Sequence, residues 1–271
     1  MKSTVIESPQ VRAAAERLAR AMATGEPVEP VRELIGPDDV AVAYAVQRIG
    51  VRDRVAAGAR VVGRKIGLTS PAVQRQLGVN QPDFGVLFDE MDVAETPAAR
   101  RPALLQPKIE AELAFVLGAD LDGEQIDAIA VRGAVEYAVA ALEIVDSRIA
   151  NWDIGFADTV ADNASSGWFA LGAERLSLTE FEPRDIAMSM AVDGEIVSTG
   201  TGSACLGDPL NALAWLARTA RDFGDPLRAG EIVLSGALGP MAPLRPGARV
   251  RSELFSGTGL LGAVDFTWEQ R

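Results

Sequence analysis

The chain contains no histidine. That absence removes the Ser-His-Asp and Cys-His nucleophile arrangements and the ordinary imidazole-ligated zinc site. Its one cysteine, Cys205, has no partner for an intramolecular disulfide or a CxxC redox or zinc motif, so a reducing cytoplasm is the expected home. No apolar run reaches about 18 residues without a charge. The first thirty residues mix Lys2, Glu7, Arg12, Glu16 and Arg17 with alanine, and neither a signal peptide nor a membrane span is expected. Positive charge is scarce: 26 Lys and Arg stand against 38 Asp and Glu, a net charge of −12. Nucleic-acid binding rests on clustered phosphate contacts and is disfavoured. A small anionic substrate would need a metal, a lysine or an arginine set against this background. Chemistry therefore falls to carboxylates, lysine, hydroxyls, backbone groups or a metal held by oxygen.

What is there suffices for a sizeable core, with 48% hydrophobic residues in a 271-residue chain. Ser8-Pro9 followed by Val11, Ala15, Leu18 and Met22 reads as a cap, a first-turn proline and an apolar stripe, predicting a helix over about 9–24. "GPDDVAVAYAVQRIGVRDRVAAG" predicts a second helix, capped by Asp38 or Asp39, with Val40, Tyr44, Gln47 and Val51 on successive turns and a stop near Gly58. From residue 59 the pattern turns to strands: 59–69 with two close-approach glycines, 104–117, 137–146, 167–172, and a hairpin in "AMSMAVDGEIVST" turning at Asp193-Gly194. "GDPLNALAWLARTARDFG" interrupts as a helix with Asp208 as cap, Pro209 in its first turn and Gly224 as stop. "EIVLSG", "ARVRSELF" and "LGAVDFTW" complete the strands. The organisation expected is α+β: an N-terminal helical segment, 1–58, and a β-rich domain, 59–271, that carries the chemistry.

The strand "LLQPKIEAELAFVLG" places Lys108, Glu110 and Glu112 on one side, because residues i and i+2 share a face. Two carboxylates roughly 4–6 Å apart repel by about 3–4 kcal/mol at an effective dielectric near 20, so a divalent cation or nearby Lys and Arg side chains should stand there; a solvated acidic face is the bland reading. Glu143 lies inside the apolar run "VAALEIV" and needs a partner if buried. With Glu110 and Glu112 it would form an all-oxygen site suited to Mg²⁺ or Mn²⁺; the alternative is a buried ion pair with Arg148 or Lys65. Arg64 and Lys65 should point to opposite faces of their strand, one into a pocket and one to solvent. A desolvated lysine near a metal has its pKa lowered, which suits proton transfer, whereas an edge-strand surface lysine is the plain alternative. Asp83, in "NQPDFG", is a general acid or base or a turn residue beside Pro82. "DTVADNASSG" (158–167) reads as a polar loop able to offer donors to a ligand carboxylate, or as a turn only. Glycines 236 and 239 of "SGALGPM" would let backbone N–H groups approach an anion, or simply make a loop. Trp152, Trp168 and Trp215 read as core or interface residues.

Taken together, "GRKIGLTSPAVQRQLGVNQPDFGVLF", "PKIEAELAFVL", "ALEIVDSRIANWDIGFADTVADNASSG", "GSACLGDPLNALAWLA" and "LSGALGPM" resemble the 2-keto-4-pentenoate hydratase group. That group also holds the 4-oxalocrotonate decarboxylases and sits in the fumarylacetoacetate hydrolase superfamily; the resemblance runs from about residue 35 to 265. It implies a mixed β-sandwich roll preceded by helices, commonly assembled into pentamers or decamers, with a pathway enzyme as a further potential partner. It implies Glu110, Glu112 and Glu143 as ligands of Mg²⁺ or Mn²⁺, Lys65 and Asp83 as catalytic groups, and Ser165, Leu68 and Gly236 as substrate contacts. One departure is Ser166, where relatives often carry cysteine, a change expected to reshape the pocket wall without touching the metal. The implied reaction is hydration of 2-hydroxypenta-2,4-dienoate to 4-hydroxy-2-oxopentanoate in meta-cleavage degradation of aromatic compounds. Decarboxylation of 2-oxohex-3-enedioate is the sister reading, and "QLGVNQPDFGVLF", "GSACLGDPLNA" and "GALGPM" look closer to the hydratase branch. Hydrolysis of a β-diketone C–C bond and a non-catalytic, acidic partner-binding subunit are the remaining alternatives.

Overall fold

The computed structural model describes residues 8–70, 74 and 81–269; most of the stretch 71–80 of the long glycine-rich motif lies outside the described residues. Helix α1 (Pro9–Thr24) starts where the Ser8 hydroxyl accepts from the Val11 N–H and ends at Gly25, whose φ of 72° lets its N–H turn back to Ala21. Its buried stripe is Val11, Ala14, Ala15, Leu18 and Ala21. After the single turn α2 (Arg32–Ile35), α3 (Val40–Ala56) is capped by Asp39, which accepts from Val42 N–H at 3.1 Å. Both long helices pack into the same hydrophobic cluster as the strands, through residues such as Leu18, Tyr44 and Ile49.

The strands run β1 (Val61–Gly67), β2 (Asp83–Phe88), β3 (Lys108–Leu117), β4 (Val135–Val145), β5 (Ser166–Leu171), β6 (Ala187–Val192), β7 (Glu195–Thr201), β8 (Ile232–Leu234), β9 (Ala242–Pro243), β10 (Arg249–Ser256) and β11 (Gly259–Thr267). One mixed sheet has the order β2-β1-β8-β3-β4-β5, with β9 on β3; β1 and β8 are parallel and the other pairings antiparallel. The second sheet, β11-β10-β6-β7, is antiparallel, and the β6–β7 hairpin turns at Asp193 and Gly194 with φ of 53° and 90°. Three further helices are α4 (Ala128–Ala134), α5 (Phe156–Ala161) and α6 (Pro209–Asp222), the last capped by Asp208 as its sequence predicts.

The large sheet curls on itself. Beyond β2, Val93 N–H donates to Phe169 O in β5 at 3.0 Å. Nearer the middle, the Asn163 amide closes the gap by accepting from Val86 N–H at 2.8 Å and donating to Val86 O at 2.9 Å. The smaller sheet lies over β4 and β5, where Trp168 meets Phe266 edge-on. The result is the rolled sandwich that the resemblance implies.

Three local expectations need correction. The first strand of the acidic motif begins at Lys108 and not at 104, because Asp146 takes the N–H groups of Leu105 and Gln106 and holds that stretch in a turn. The stretch 158–167 is not a plain loop: it holds the end of α5, a 3₁₀ turn at Asn163–Ser165 and the start of β5. Asp83, which the sequence marks as a turn residue beside Pro82, instead opens the strand β2, buried along its whole length.

Candidate metal centre and active site

Register builds the centre. In the β3–β4 ladder Glu110 stands directly opposite Glu143, and Glu112 follows two residues along β3 on the same face. One carboxylate oxygen from each lies within 4.8 Å of the others. Glu112 is 0% and Glu143 1% exposed. Like charges opposite each other in a sheet are destabilising, and at this spacing each ionised pair costs about 3.5 kcal/mol at an effective dielectric of 20. Gly236 N–H donates to Glu112 Oε2 at 2.8 Å, whereas Glu112 Oε1 has no hydrogen-bond partner. Lys65 Nζ stands 3.1 Å from Glu143 Oε1 and pairs with it.

Burial, and then Glu143, push the Glu110 carboxyl up to about 7. Burial also raises Glu112 well above the carboxylate range, with Glu143 and Glu110 adding to it. Burial raises Glu143 as well, against the opposing pull of Lys65. Burial alone would lower Lys65, but Glu143, Asp83, Glu110 and Glu112 together outweigh it and hold the ammonium more firmly than usual. In the ion-free chain the four carboxylates thus outweigh burial at Lys65. Arg64 is corrected: it is 4% exposed and not wet, with Asp225 Oδ2 at 2.5 Å and Glu231 Oε1 at 3.6 Å. The third cation of the motif, Lys108, lies over the Trp152 ring at 4.1 Å from its centroid. Arg148 pairs with Asp162, which leaves Lys65 as the partner of Glu143.

Asp83, at the start of β2, is 1% exposed and faces Gly67 across the β1–β2 ladder. A Cβ on Gly67 would fall 2.2 Å from Asp83 Oδ1 and 3.5 Å from Lys65 Nζ, so the missing side chain makes room for both groups. Thr159 Oγ1 donates to Asp83 Oδ2 at 3.1 Å, leaving Oδ1 without a partner. Burial raises the Asp83 carboxyl, opposed by Lys65 and Thr159. Leu68 leaves β1 at a φ of 56° and packs half-buried against the core. Gly236 takes a φ of 109° with Thr69 pressed against it, so that its N–H reaches Glu112.

Ser165 sits in an unusual turn. Asn163, Ala164 and Ser165 all have positive φ, at 54°, 52° and 53°. Each non-glycine residue in that region costs about 1–3 kcal/mol. The Ser165 Oγ is buried without a partner. The Ser166 hydroxyl donates to Asn163 O at 2.6 Å and closes the turn. Thr159, Thr69 and Gln47 escape the sequence reading as supports of the site. Gln47, 3% exposed, donates to Phe84 O and Val160 O at 2.9 and 3.0 Å, tying α3 to β2 and α5. A glutamine on the apolar face of a helix was the available signal.

The donor set decides which ion fits. It is oxygen only, with the buried Glu112 Oε1 unpartnered and up to four negative charges around one ammonium. Cys205 offers no thiolate, since burial first and Glu112 second push its thiol up to about 12. The cluster therefore suits a hard divalent cation such as Mg²⁺ or Mn²⁺.

A rolled mixed sheet whose middle strands present a buried carboxylate cradle, with lysine and aspartate beside it, defines the class of protein. A family profile described as Fumarylacetoacetate (FAA) hydrolase C-terminal matches residues 71–265. The 2-keto-4-pentenoate hydratase of Paraburkholderia xenovorans (strain LB400) is 54% identical over 241 residues, covering 89% of this chain and 90% of that one. The 2-keto-4-pentenoate hydratase 3 of Pseudomonas putida is similar to the same extent over the same length. Among solved structures, 4-oxalocrotonate decarboxylase from Pseudomonas putida G7, complexed with magnesium and adipate, has a TM-score of 0.83 at 34% identity, covering 94% of this chain and 96% of that one. The chain belongs to the fumarylacetoacetate hydrolase family, in its branch of 2-keto-4-pentenoate hydratases and 4-oxalocrotonate decarboxylases. Among the described residues no helix is long and apolar enough to cross a membrane.

Proposed function

We propose that this chain is a metal-dependent hydratase that converts 2-hydroxypenta-2,4-dienoate to 4-hydroxy-2-oxopentanoate. The observation that carries the reading is the three-glutamate cradle, with Glu112 Oε1 unpartnered, set beside Lys65 and Asp83. The identity of 54% to curated 2-keto-4-pentenoate hydratases supports the substrate. Glu110, Glu112 and Glu143 would hold Mg²⁺ or Mn²⁺. Such a cation, when bound, acidifies the enol of the substrate and stabilises negative charge on its 2-oxygen.

Lys65 and Asp83 move the protons, because no histidine can substitute and both lie against Gly67. The 2-hydroxyl proton leaves, and a proton is delivered to C5, giving the 2-oxo-3-ene. Water then adds its oxygen to C4, and a proton goes to C3. Asp83 Oδ1, to which no side chain donates, is the acceptor assigned to the water proton, and the charged Lys65 is the donor. The Ser165 hydroxyl donates to the substrate carboxylate, with Leu68 and Gly236 bounding the pocket. The family resemblance adds a homo-oligomeric, cytoplasmic enzyme to this reading.

The test is a dienol-absorbance assay with product analysis, before and after chelation. Metal-dependent loss of the dienol with 4-hydroxy-2-oxopentanoate as product supports the reading. Release of CO₂ from 2-oxohex-3-enedioate with no hydration would shift it to the decarboxylase, and turnover unaffected by chelation would overturn it.

A further inference from the structure

The turn that carries Ser165 cannot hold itself. Three successive residues without the freedom of glycine adopt left-handed backbone, and such segments persist only where their surroundings over-determine them. The surroundings here are specific. Arg148, 5% exposed, donates from Nε to Asp162 Oδ1 at 2.5 Å, from Nη1 to Ser166 O at 2.6 Å and from Nη2 to Asp162 O. Its backbone N–H donates to Asp162 Oδ2 at 2.9 Å. One planar guanidinium thus grips the chain on both sides of the left-handed turn, a fork that an ammonium does not reproduce. On the far side the turn abuts Gly85, the register partner of Lys65: a Cβ there would fall 2.3 Å from Asn163 O. Ser165 itself spends its N–H on Asp162 O and its carbonyl on Asp146 N–H, leaving only the hydroxyl uncommitted.

We infer that Arg148 is a positioning residue that acts through Ser165: its guanidinium fixes the left-handed turn 163–165 and so aims the buried Ser165 hydroxyl at the substrate carboxylate. The Arg148 donors are spent on Asp162 and Ser166, so its effect falls on how well the carboxylate is held. The inference rests on the role given to Ser165 above.

The experiment is a double-mutant cycle of Arg148→Lys and Ser165→Ala on the metal-loaded protein, reading KM, kcat and Mn²⁺ affinity. Ser165→Ala should raise KM about tenfold, the loss of one hydrogen bond to a charged group. Arg148→Lys should raise KM by a similar factor with Mn²⁺ affinity unchanged, and should add less than about twofold in the Ser165→Ala background. Should Arg148→Lys fail to fold, Ser166→Ala, which removes only the hydroxyl bonded to Asn163 O, takes its place in the cycle with a smaller rise of the same kind. Independent, multiplying effects on KM overturn the inference, as does a normal KM in the folded clamp variant or in Ser165→Ala. Wild-type protein without dienoate hydration would instead overturn the proposed function.

Discussion

Glu112→Gln separates a cation cradle from a structural acidic cluster, because the two readings predict opposite signs in the ion-free protein. Glutamine keeps the shape and an acceptor for the Gly236 N–H that now bonds Oε2 at 2.8 Å. It deletes the charge facing Glu110 and Glu143, whose ligand oxygens lie within 4.8 Å. Two repulsions of about 3.5 kcal/mol each set a ceiling near 7 kcal/mol. Burial raises these carboxyls, so protonation already relieves part of this; replacing buried charge by a neutral group of like shape gains about 1–4 kcal/mol, and about 2 kcal/mol is expected here. For a chain of this size that is a Tm higher by roughly 4–8 °C in chelator. With cation the sign inverts. At about a hundred times its Kd, an ion adds about 2.7 kcal/mol to the wild type, but only about 0.4 kcal/mol to a site weakened a hundredfold. Calorimetric melts in EDTA and across a Mn²⁺ titration read both numbers. A variant that melts lower than wild type in EDTA and keeps the full Mn²⁺ shift would refute the cradle.

Gly67→Ala should leave the protein folded but cut kcat/KM about a hundredfold, since its Cβ would sit 2.2 Å from Asp83 Oδ1 and displace the carboxylate by about an ångström; steady-state kinetics with a circular-dichroism control test this. Lys65→Met, assayed metal-loaded and folded, should lower kcat by about 10²–10⁴, and a variant with wild-type kcat would remove lysine from the proton path. Asn163→Ala removes both bonds to Val86 that close the roll and should cost about 2–3 kcal/mol in urea denaturation. Burial and the facing Glu143 push the Glu110 carboxyl up to about 7 in the folded chain, above its ordinary value near 4.5. Its stabilising contribution is whole below about 4.5 and lost as pH climbs through about 7, with a ceiling of about 3 kcal/mol, less its partial exposure. In EDTA, stability should therefore fall between about pH 4.5 and 7, and fall less in Glu110→Gln.

Much of the fold is legible in local chemistry. Ser8-Pro9, Asp39 and Asp208-Pro209 announce three helices through side chains that bond the first free N–H groups, and the structure starts those helices there. The Asp193-Gly194 turn is equally direct, because both residues tolerate positive φ. Elements whose reasons lie far along the chain are not legible this way. β2 looks like a turn beside Pro82, and only pairing with β1 makes it a strand. α5 hides in "FADTVADNAS", whose Asp and Asn read as loop formers until Asp158 is seen capping its own helix and bonding Arg32.

The sequence by itself determines that Glu110 and Glu112 share a face, because strand periodicity is a two-residue matter, and that no imidazole or thiol pair competes for a metal. It also carries the family resemblance through long motifs in fixed order. Tertiary structure alone decides that Glu143 stands opposite Glu110, that Lys65 rather than Arg148 becomes its partner, and that Gly67 seats Asp83 beside that lysine. Those facts depend on strand register and on which side chains are deprived of water together. Neither property is local, and so neither is written in any one stretch of residues.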